Sequence, residues 1–311
     1  MNDKICVLLS SYNGEKYIKE QIESILNQKD VDVIILIRDD GSKDSTVTII
    51  QELCKSHNNI RLIVGANIGY INSFNFLVEY ANKYYREIEY FAFSDQDDIW
   101  YNNKLKNAID NLKQISKNEP QLYASNSMKV NAKGEDIGYF MNKEPIFNRK
   151  NVLRMQLLQG CSMVFNRRAI EIYADIPSAE VIHDRWMFMI CFFLGVFIYD
   201  HTPQFAYRIH GGNAIGVSTP LSRKKQIYES VRYWTSKRVE RIYHKANNKF
   251  IRDFEQKLSS EDLQSLRILT TYTKSFTNKI KLAFDKRFMV DPKAGLLHFF
   301  SHIIQVMFNK I

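Results

Sequence analysis

Two glycine-rich signatures are missing from this chain of 311 residues: neither G-x-G-x-x-G nor G-x-x-x-x-G-K-[ST] occurs. Without them there is no backbone cradle of the dinucleotide-binding or P-loop kind, which argues against a dehydrogenase or a P-loop kinase. Cysteine is also sparse. Cys6, Cys54, Cys161 and Cys191 are scattered, form no C-x-x-C pair and lie mostly in apolar surroundings, so they read as reduced core thiols of a cytoplasmic protein. Long apolar runs are lacking too. Ile5 to Leu9 is too short for the apolar region of a signal peptide and reads as a first strand. The longest run, Trp186 to Tyr199, is interrupted by Gly195 and falls short of the roughly 20 residues that a spanning helix needs. It reads as a buried helix stopped at Gly195 and followed by a strand, Val196 to Tyr199. Internal repeats and low-complexity linkers are absent.

What is present can build a sizeable core: 45% of the residues are hydrophobic and 13% aromatic, enough for one large domain or two ordinary ones. The net charge of +9 is unevenly spread, because residues 220–311 hold 19 Lys and Arg against 8 Asp and Glu, leaving 24 against 26 before them. Only the C-terminal part is therefore suited to an acidic partner, membrane lipid or nucleic acid.

The first hundred residues alternate β-rich runs with helical periodicity. Strands are expected at Ile5–Leu9, Val33–Ile37, Ile60–Val64 and Tyr90–Phe93, and helices at about 15–28, 45–57 and 71–85. This βαβα order calls for a parallel sheet covered by helices, with ligands beyond the carboxyl ends of the strands. The polar clusters fall at those ends: Ser10–Gly14, Arg38–Ser42, Gly65–Gly69 and Ser94–Asp98. The last cluster, Ser94-Asp95-Gln96-Asp97-Asp98, puts three carboxylates into four positions after the apolar run Tyr90–Phe93. An isolated D-x-D also suits a solvated acidic turn. At the end of a buried strand, however, such carboxylates raise one another's pKa unless a hard divalent cation, Mg²⁺ or Mn²⁺, sits among them and holds substrate phosphates.

At this point the residues resemble the family 2 glycosyltransferases. The matching segments are Ser11-Tyr12-Asn13-Gly14, Gln21–Gln28, Asp39-Asp40-Gly41-Ser42-Lys43-Asp44-Ser45-Thr46, Asn67-Ile68-Gly69, Asp95-Gln96-Asp97-Asp98-Ile99-Trp100 and His183-Asp184-Arg185-Trp186, in family order over about residues 4–215. The Asp-Gln-Asp-Asp-Ile-Trp form, with Tyr207-Arg208-Ile209-His210-Gly211-Gly212-Asn213 downstream, looks most like bacterial rhamnosyltransferase-type members that build surface polysaccharides.

The resemblance implies an α/β fold of the GT-A, Rossmann-like kind over residues 1–219, with a basic helical region over 220–311. It implies that Asp40, with Asp39 beside it, accepts from the N3–H of a uracil or thymine ring. Ser11 and Tyr12 line the base pocket, and Asn67 or Asn75 reaches ribose or phosphate. The same segments are also good turns and caps. Asp95, Asp97 and His210 are the implied metal set, with Asp97 in direct contact and Asp98 bracing the next helix. Asp184 is the implied base of an inverting displacement, or an N-cap, or both; His183 stands where many members have an acidic residue. Gln159, Gly160, Trp100, Arg185 and Trp186 are placed around the acceptor and sugar.

The expected reaction moves a sugar from a nucleoside diphosphate donor, dTDP-rhamnose first and a UDP-sugar as the alternative, to a hydroxyl of a growing, possibly lipid-linked saccharide. A sugar nucleotidyltransferase would carry a Gly-rich, basic phosphate loop where this chain has Ser10–Gly14. A non-enzymatic nucleic-acid-binding protein would leave the aspartate set unexplained, so no nucleic acid partner is expected. Leu296, Leu297, Phe299, Phe300, Ile303, Ile304, Met307 and Phe308 form an apolar helix face after a polybasic stretch. That pairing suits a peripheral protein on the inner face of the cell membrane, or else packing on the core or on a second subunit.

Overall fold

The computed structural model describes residues 2–154, 158–177, 179, 181–211, 237–289, 291–293 and 295–307, without side-chain surroundings for 237–243 and 297. Gly212, Asn213, Phe308 and the expected boundary at residue 219 lie outside the described residues. Two compact units are distinguished: Met1–Lys143 with Leu158–Gly212, and Glu144–Leu157 with Asn213–Ile311. The short segment Glu144–Leu157 thus groups with the C-terminal helices.

In the first unit β1 (Asp3–Ser11), α1 (Ile18–Leu26), β2 (Val31–Asp39), α2 (Thr46–Ser56), β3 (Ile60–Val64), α3 (Tyr70–Tyr84) and β4 (Tyr90–Ser94) follow the expected alternation. Then come β5 (Ile99–Trp100), α4 (Lys104–Leu112), β6 (Gln121–Val130), β7 (Asp136–Tyr139), β8 (Met163–Asn166), α5 (Arg167–Asp175), α6 (His183–Leu194) and β9 (Val196–Arg208). The strands join one sheet in the order β3-β2-β1-β4-β8-β6-β9-β5, with β7 on β6. Its first four strands are parallel, whereas β8 runs antiparallel to both β4 and β6, and β9 is parallel to β6.

Register makes the parallel half a platform. Ser11 pairs with Asp39, Asp39 with Val64, and Leu9 with Ser94, so four strand ends finish nearly level. The order reverses at β1, which leads to β2 on one side while β4 lies on the other. This is the switch point at which open α/β sheets bind ligands. Ile5 to Leu9 are all fully buried, as expected for a central parallel strand with both faces covered. Helix α1 starts three residues later than its apolar periodicity allows, because the Gly14 carbonyl accepts from the N–H groups of both Tyr17 and Ile18 and makes residues 14–17 a turn. The α6–β9 junction depends on Gly195 through space rather than φ: a Cβ there would lie 2.0 Å from the Pro120 carbonyl oxygen.

The second unit contains α7 (Lys237–Phe254), α8 (Ser260–Thr271), α9 (Phe276–Phe284) and α10 (Leu296–Met307). The segment around residues 149–154 ties these helices together. Arg149 pairs with Asp262, Lys150 Nζ with Asp285 at 2.8 Å, and Asn247 Nδ2 donates to the Leu153 carbonyl at 3.1 Å. Arg154 Nη1 donates to the Phe288 carbonyl at 2.7 Å and to His302 Nδ1 at 3.1 Å, while His302 Nε2 donates to the Leu282 carbonyl at 2.9 Å.

Both nitrogens of buried His302 therefore have partners only when the ring is neutral. Burial, followed by the Arg154 charge, pushes its pKa down to about 4. Because the folded value lies below the ordinary 6.5, protonation favours the unfolded chain. The contribution of His302 is full above pH 6.5 and is lost as pH falls towards 4, at about 1.4 kcal/mol per pH unit. Chemical denaturation of wild type and His302→Gln between pH 7 and 4.5 should show a shallower loss of stability in the variant. Superimposable slopes would mean that His302 is not buried as the neutral ring.

Candidate active site

The loop after β2 is built around two aspartates that accept several hydrogen bonds each. Asp39 Oδ1 accepts from the N–H groups of Gly41 (3.1 Å) and Ser42 (2.8 Å), and its Oδ2 from the hydroxyls of Ser11 (2.8 Å) and Ser42 (2.6 Å). Four donors fill the capacity of a carboxylate. Asp40 has three: Arg38 Nη1 (2.5 Å) and Ile68 N–H (2.8 Å) on Oδ1, and Gly69 N–H (2.8 Å) on Oδ2. Asp40 thus pins the 66–69 loop after β3, which Arg38 also holds by donating to the Ala66 carbonyl at 2.9 Å. Tyr12, 46% exposed, and exposed Asn67 flank these turns, open to a ligand. Asn75 is elsewhere: it is buried on α3, accepting from the Tyr173 hydroxyl at 2.6 Å.

The acidic loop after β4 is fastened to the β1 loop by Gln96, whose side-chain oxygen accepts from Tyr12 N–H at 2.8 Å and whose nitrogen donates to the Tyr12 carbonyl at 3.0 Å. Gly14 makes room for it, since a Cβ there would lie 2.3 Å from Gln96 Oε1. The three carboxylates face different ways. Asp97 Oδ2 lies 2.8 Å from His210 Nε2. The ligand atoms of Asp95, Asp98 and Cys161 lie within 4.8 Å of one another. Asp98 does not brace the following helix; its Oδ1 accepts from Arg208 N–H in β9 at 3.3 Å, and its carboxylate also has the Cys161 thiol as a side-chain hydrogen-bond partner.

Burial and then Asp97 push Asp95 up to about 7. Burial, then Asp97 and Asp95, hold Asp98 well above the usual carboxylate range. Burial also raises Asp97, against the opposing pull of His210. The loop thus resists full ionisation on its own. Carboxylate oxygens gathered at one strand end are hard donors of the kind that Mn²⁺ or Mg²⁺ takes; Asp95 and Asp98 converge with Cys161, while the His210 imidazole sits on Asp97.

Asp184 occupies the first turn of α6, where the helix N-terminus favours a carboxylate. The residue flanking the helix is Ile182, so Asp184 is not the N-cap; its Oδ1 accepts from Arg185 N–H at 2.5 Å. His183 stacks on Phe74, with centroids 3.7 Å apart, and meets the edge of Phe93 at 4.8 Å. Burial takes its pKa down to about 3, so the ring is neutral, and neither nitrogen has a partner among the described residues. The 159–162 loop reaches this pair. A Cβ on Gly160 would lie 2.8 Å from His183 Nε2 and 3.4 Å from Asp184 Cβ. Beside it, Gln159 Oε1 accepts from Ser127, while its buried Nε2 has no partner among the described residues.

Three residues expected around the sugar are core instead. Trp100 is 2% exposed, with the Lys104 ammonium 3.8 Å from its ring centroid. Trp186 is fully buried, donating from Nε1 to the Ile176 carbonyl at 3.0 Å, and Arg185 is 1% exposed. Side chains without accessible surface cannot line a saccharide pocket. Their apolar or helical spacing was the signal for this. Gln96, Tyr17 and Arg208, by contrast, act through partners distant in sequence, and Lys104 through Trp100 four residues away and Phe205 far along the chain.

Turns at four level strand ends, an acidic loop and a helix-borne carboxylate thus meet at the switch point of an open α/β sheet, the place where enzymes of this architecture hold their ligands. The glycosyl transferase family 2 profile matches residues 6–172, and the chain belongs to that family; the protein is a glycosyltransferase. It is 31% identical over 251 residues to a dTDP-rhamnosyl transferase, RfbG, of Shigella flexneri, covering 75% of this chain and 83% of that one. An uncharacterized glycosyltransferase of Rickettsia conorii is 27% identical over 58% of this chain and 30% of its own length. Among solved structures, TarS residues 1–349 of S. aureus in complex with UDP-GlcNAc is similar in fold, with TM-score 0.56 and 15% identity over 99% of this chain and 92% of that one.

The Gly160 contact generates a test. Since the His183 ring is fixed between two phenylalanines, Gly160→Ala should shift the 159–162 loop and Asp184, lowering transfer about tenfold or more while nucleoside diphosphate affinity stays at wild type. Unchanged transfer in the folded variant would mean that the spacing of this loop from Asp184 does not matter to the reaction.

Proposed function

We propose that this glycosyltransferase inverts configuration, depends on a divalent cation and moves rhamnose from dTDP-rhamnose to a hydroxyl of a growing cell-surface polysaccharide or lipid-linked saccharide. A UDP-sugar is the alternative donor. The observation that carries the reading is the meeting of four strand ends with the carboxylate of Asp184 nearby, and similarity to the Shigella enzyme favours rhamnose.

Asp40 retains acceptor capacity for the base N3–H while Ser11, Tyr12, Asp39 and Asn67 shape the pocket. Asp95, Asp97 and His210 would hold Mn²⁺ or Mg²⁺, which neutralises charge growing on the departing diphosphate. Asp184 takes the proton of the acceptor hydroxyl as its oxygen bonds to the anomeric carbon and the bond to the diphosphate oxygen breaks on the opposite face. The β-linked donor then yields an α-rhamnoside. Gln159 and the backbone of Gly160 orient the sugar or the acceptor.

Asp97→Ala should abolish cation-dependent nucleotide binding and transfer without unfolding the protein. Asp184→Asn should keep donor affinity but lower transfer about 10²–10⁴-fold. Calorimetric binding together with NMR of the product linkage checks both. A retained anomeric configuration would exclude Asp184 as a simple base.

A membrane-borne acceptor is supported by α10, which presents Leu296, Phe300, Ile304 and Met307 as an exposed apolar stripe while His302 and Val306 face inward. Phe276 and Phe284 of α9, which packs on α10, are also exposed, and Lys286 Nζ lies 4.9 Å from the Phe299 ring centroid. Among the described residues no helix is long and apolar enough to cross a membrane. This combination suits peripheral attachment to the anionic inner leaflet, with about 1 kcal/mol per basic residue near the surface. The full-length protein should sediment with anionic but not neutral liposomes, less so in high salt. Phe300→Ser/Ile304→Ser should stay folded and remain in the supernatant. A variant that instead changes from dimer to monomer would make the stripe a subunit contact.

A further inference from the structure

Arg208, at the end of β9, is 3% exposed and has no part in the chemistry above, yet its donors converge on the acidic loop from several directions. Its Nε donates to the Asp97 carbonyl at 3.0 Å, and its backbone N–H to Asp98 Oδ1 at 3.3 Å. Its Nη2 donates to Glu20 of α1 at 2.6 Å, and Nη1 to the Ala132 carbonyl at 3.4 Å. The guanidinium carbon lies 4.7 Å from the centroid of the Tyr17 ring. The chain continues in register past Arg208, Ile209 N–H donating to the Val130 carbonyl at 2.8 Å, so residues 208 and 210 project to the same side. The His210 ring accordingly lies against the same tyrosine, with centroids 4.8 Å apart at 35°. His210 in turn meets the Asp97 carboxylate at 2.8 Å.

We infer that Tyr17 and Arg208 are positioning residues for the cation and diphosphate end of this site, acting through Asp97 and His210. The inference rests on the glycosyl-transfer reading above. Asp97 is held twice: its peptide carbonyl by Arg208 and its carboxylate by His210. One aromatic ring from the turn before α1 is shared by both holders. Loss of the ring frees the imidazole to rotate and removes a wall against which the guanidinium is stacked. Groups that orient ligating residues typically contribute 10–100-fold to cation affinity without touching the cation. Lysine cannot replace Arg208, because one ammonium cannot reach the Asp97 carbonyl, Glu20 and Ala132 while also stacking on the ring.

The test is Mn²⁺ binding to the donor-free, full-length protein, read by electron paramagnetic resonance of the unbound ion, alongside steady-state kinetics. Tyr17→Leu and Arg208→Lys should weaken Mn²⁺ binding 10–100-fold and raise KM for the nucleotide sugar more than they lower kcat. Tyr17→Phe, which keeps the ring, should bind as wild type does. The half-buried Tyr17→Leu variant should melt normally by circular dichroism, so it decides the matter even if Arg208→Lys fails to fold. Wild-type Mn²⁺ affinity in folded Tyr17→Leu, or equal losses in Tyr17→Phe and Tyr17→Leu, overturns the inference. Sugar transfer by a wild-type protein that binds no divalent cation overturns it as well. A wild-type protein that binds Mn²⁺ yet turns over no nucleotide sugar instead removes the transferase reading, while the variants' Mn²⁺ affinities still decide whether the clamp exists.

Discussion

Three carboxylates within four residues at the end of a buried strand are the constraint to which the rest of the first unit responds. Each would be ionised in water, and each is driven towards its neutral form here, chiefly by burial and then, for Asp95 and Asp98, by its neighbours. The protein disperses the charge rather than removing it. Asp97 turns to His210, and Asp98 to the backbone of Arg208. Beneath them Lys104 is fully buried over Trp100, its Nζ without a hydrogen-bond partner among the described residues. Burial brings its pKa down to about 7, while Asp98 and Cys161 act to keep its proton. An ammonium so placed is costly in isolation. Its charge therefore depends on the acidic groups beside it, Cys161 and Asp98, which favour the protonated form against burial.

The same loop explains why the nucleotide turns and the acidic turn behave as one body. A parallel sheet brings strand ends level but leaves its loops independent. Here Gln96 clasps both backbone groups of Tyr12, Asp40 ties the end of β2 to the loop after β3, and Asp39 seals its own turn against Ser11. Asp39 and Asp40 are therefore mostly structural acceptors, and only Asp40 keeps acceptor capacity that the protein does not use. Rigid first-contact groups reduce the ordering that a substrate must impose on the site.

Much of this was legible in the sequence where a physical period or a local chemistry wrote it. Alternating βα periods placed seven elements to within a few residues, and the turn residues after four strands located the crevice. Asp97 with His210 and Asp184 at a helix start were readable as motif residues, although the N-cap position itself belongs to Ile182. Trp100 and Trp186 misled because an aromatic beside a motif looks like a sugar platform, whereas burial is decided by packing from other elements. Gln96 and Arg208 stand inside matching motif segments that say nothing of their roles, and Tyr17 lies outside all of them. Gln96 meets Tyr12 across 84 positions and Arg208 meets Glu20 across 188, so neither a helical nor a strand period can reveal them.

His183 keeps a further charge away from the acidic loop. A second carboxylate beside Asp184 would add negative charge to a site that already carries three, and Asp184 itself is among the groups raising Asp95, after burial and Asp97. The neutral imidazole between Phe74 and Phe93 adds none. It also stands 2.8 Å from where a Cβ on Gly160 would lie, so the 159–162 loop approaches the first turn of α6 this closely only because residue 160 has no side chain. Charge is thereby kept out of this corner and its spacing is set by shape: with the ring held between Phe74 and Phe93, a side chain at residue 160 would have to displace either the ring or its own loop.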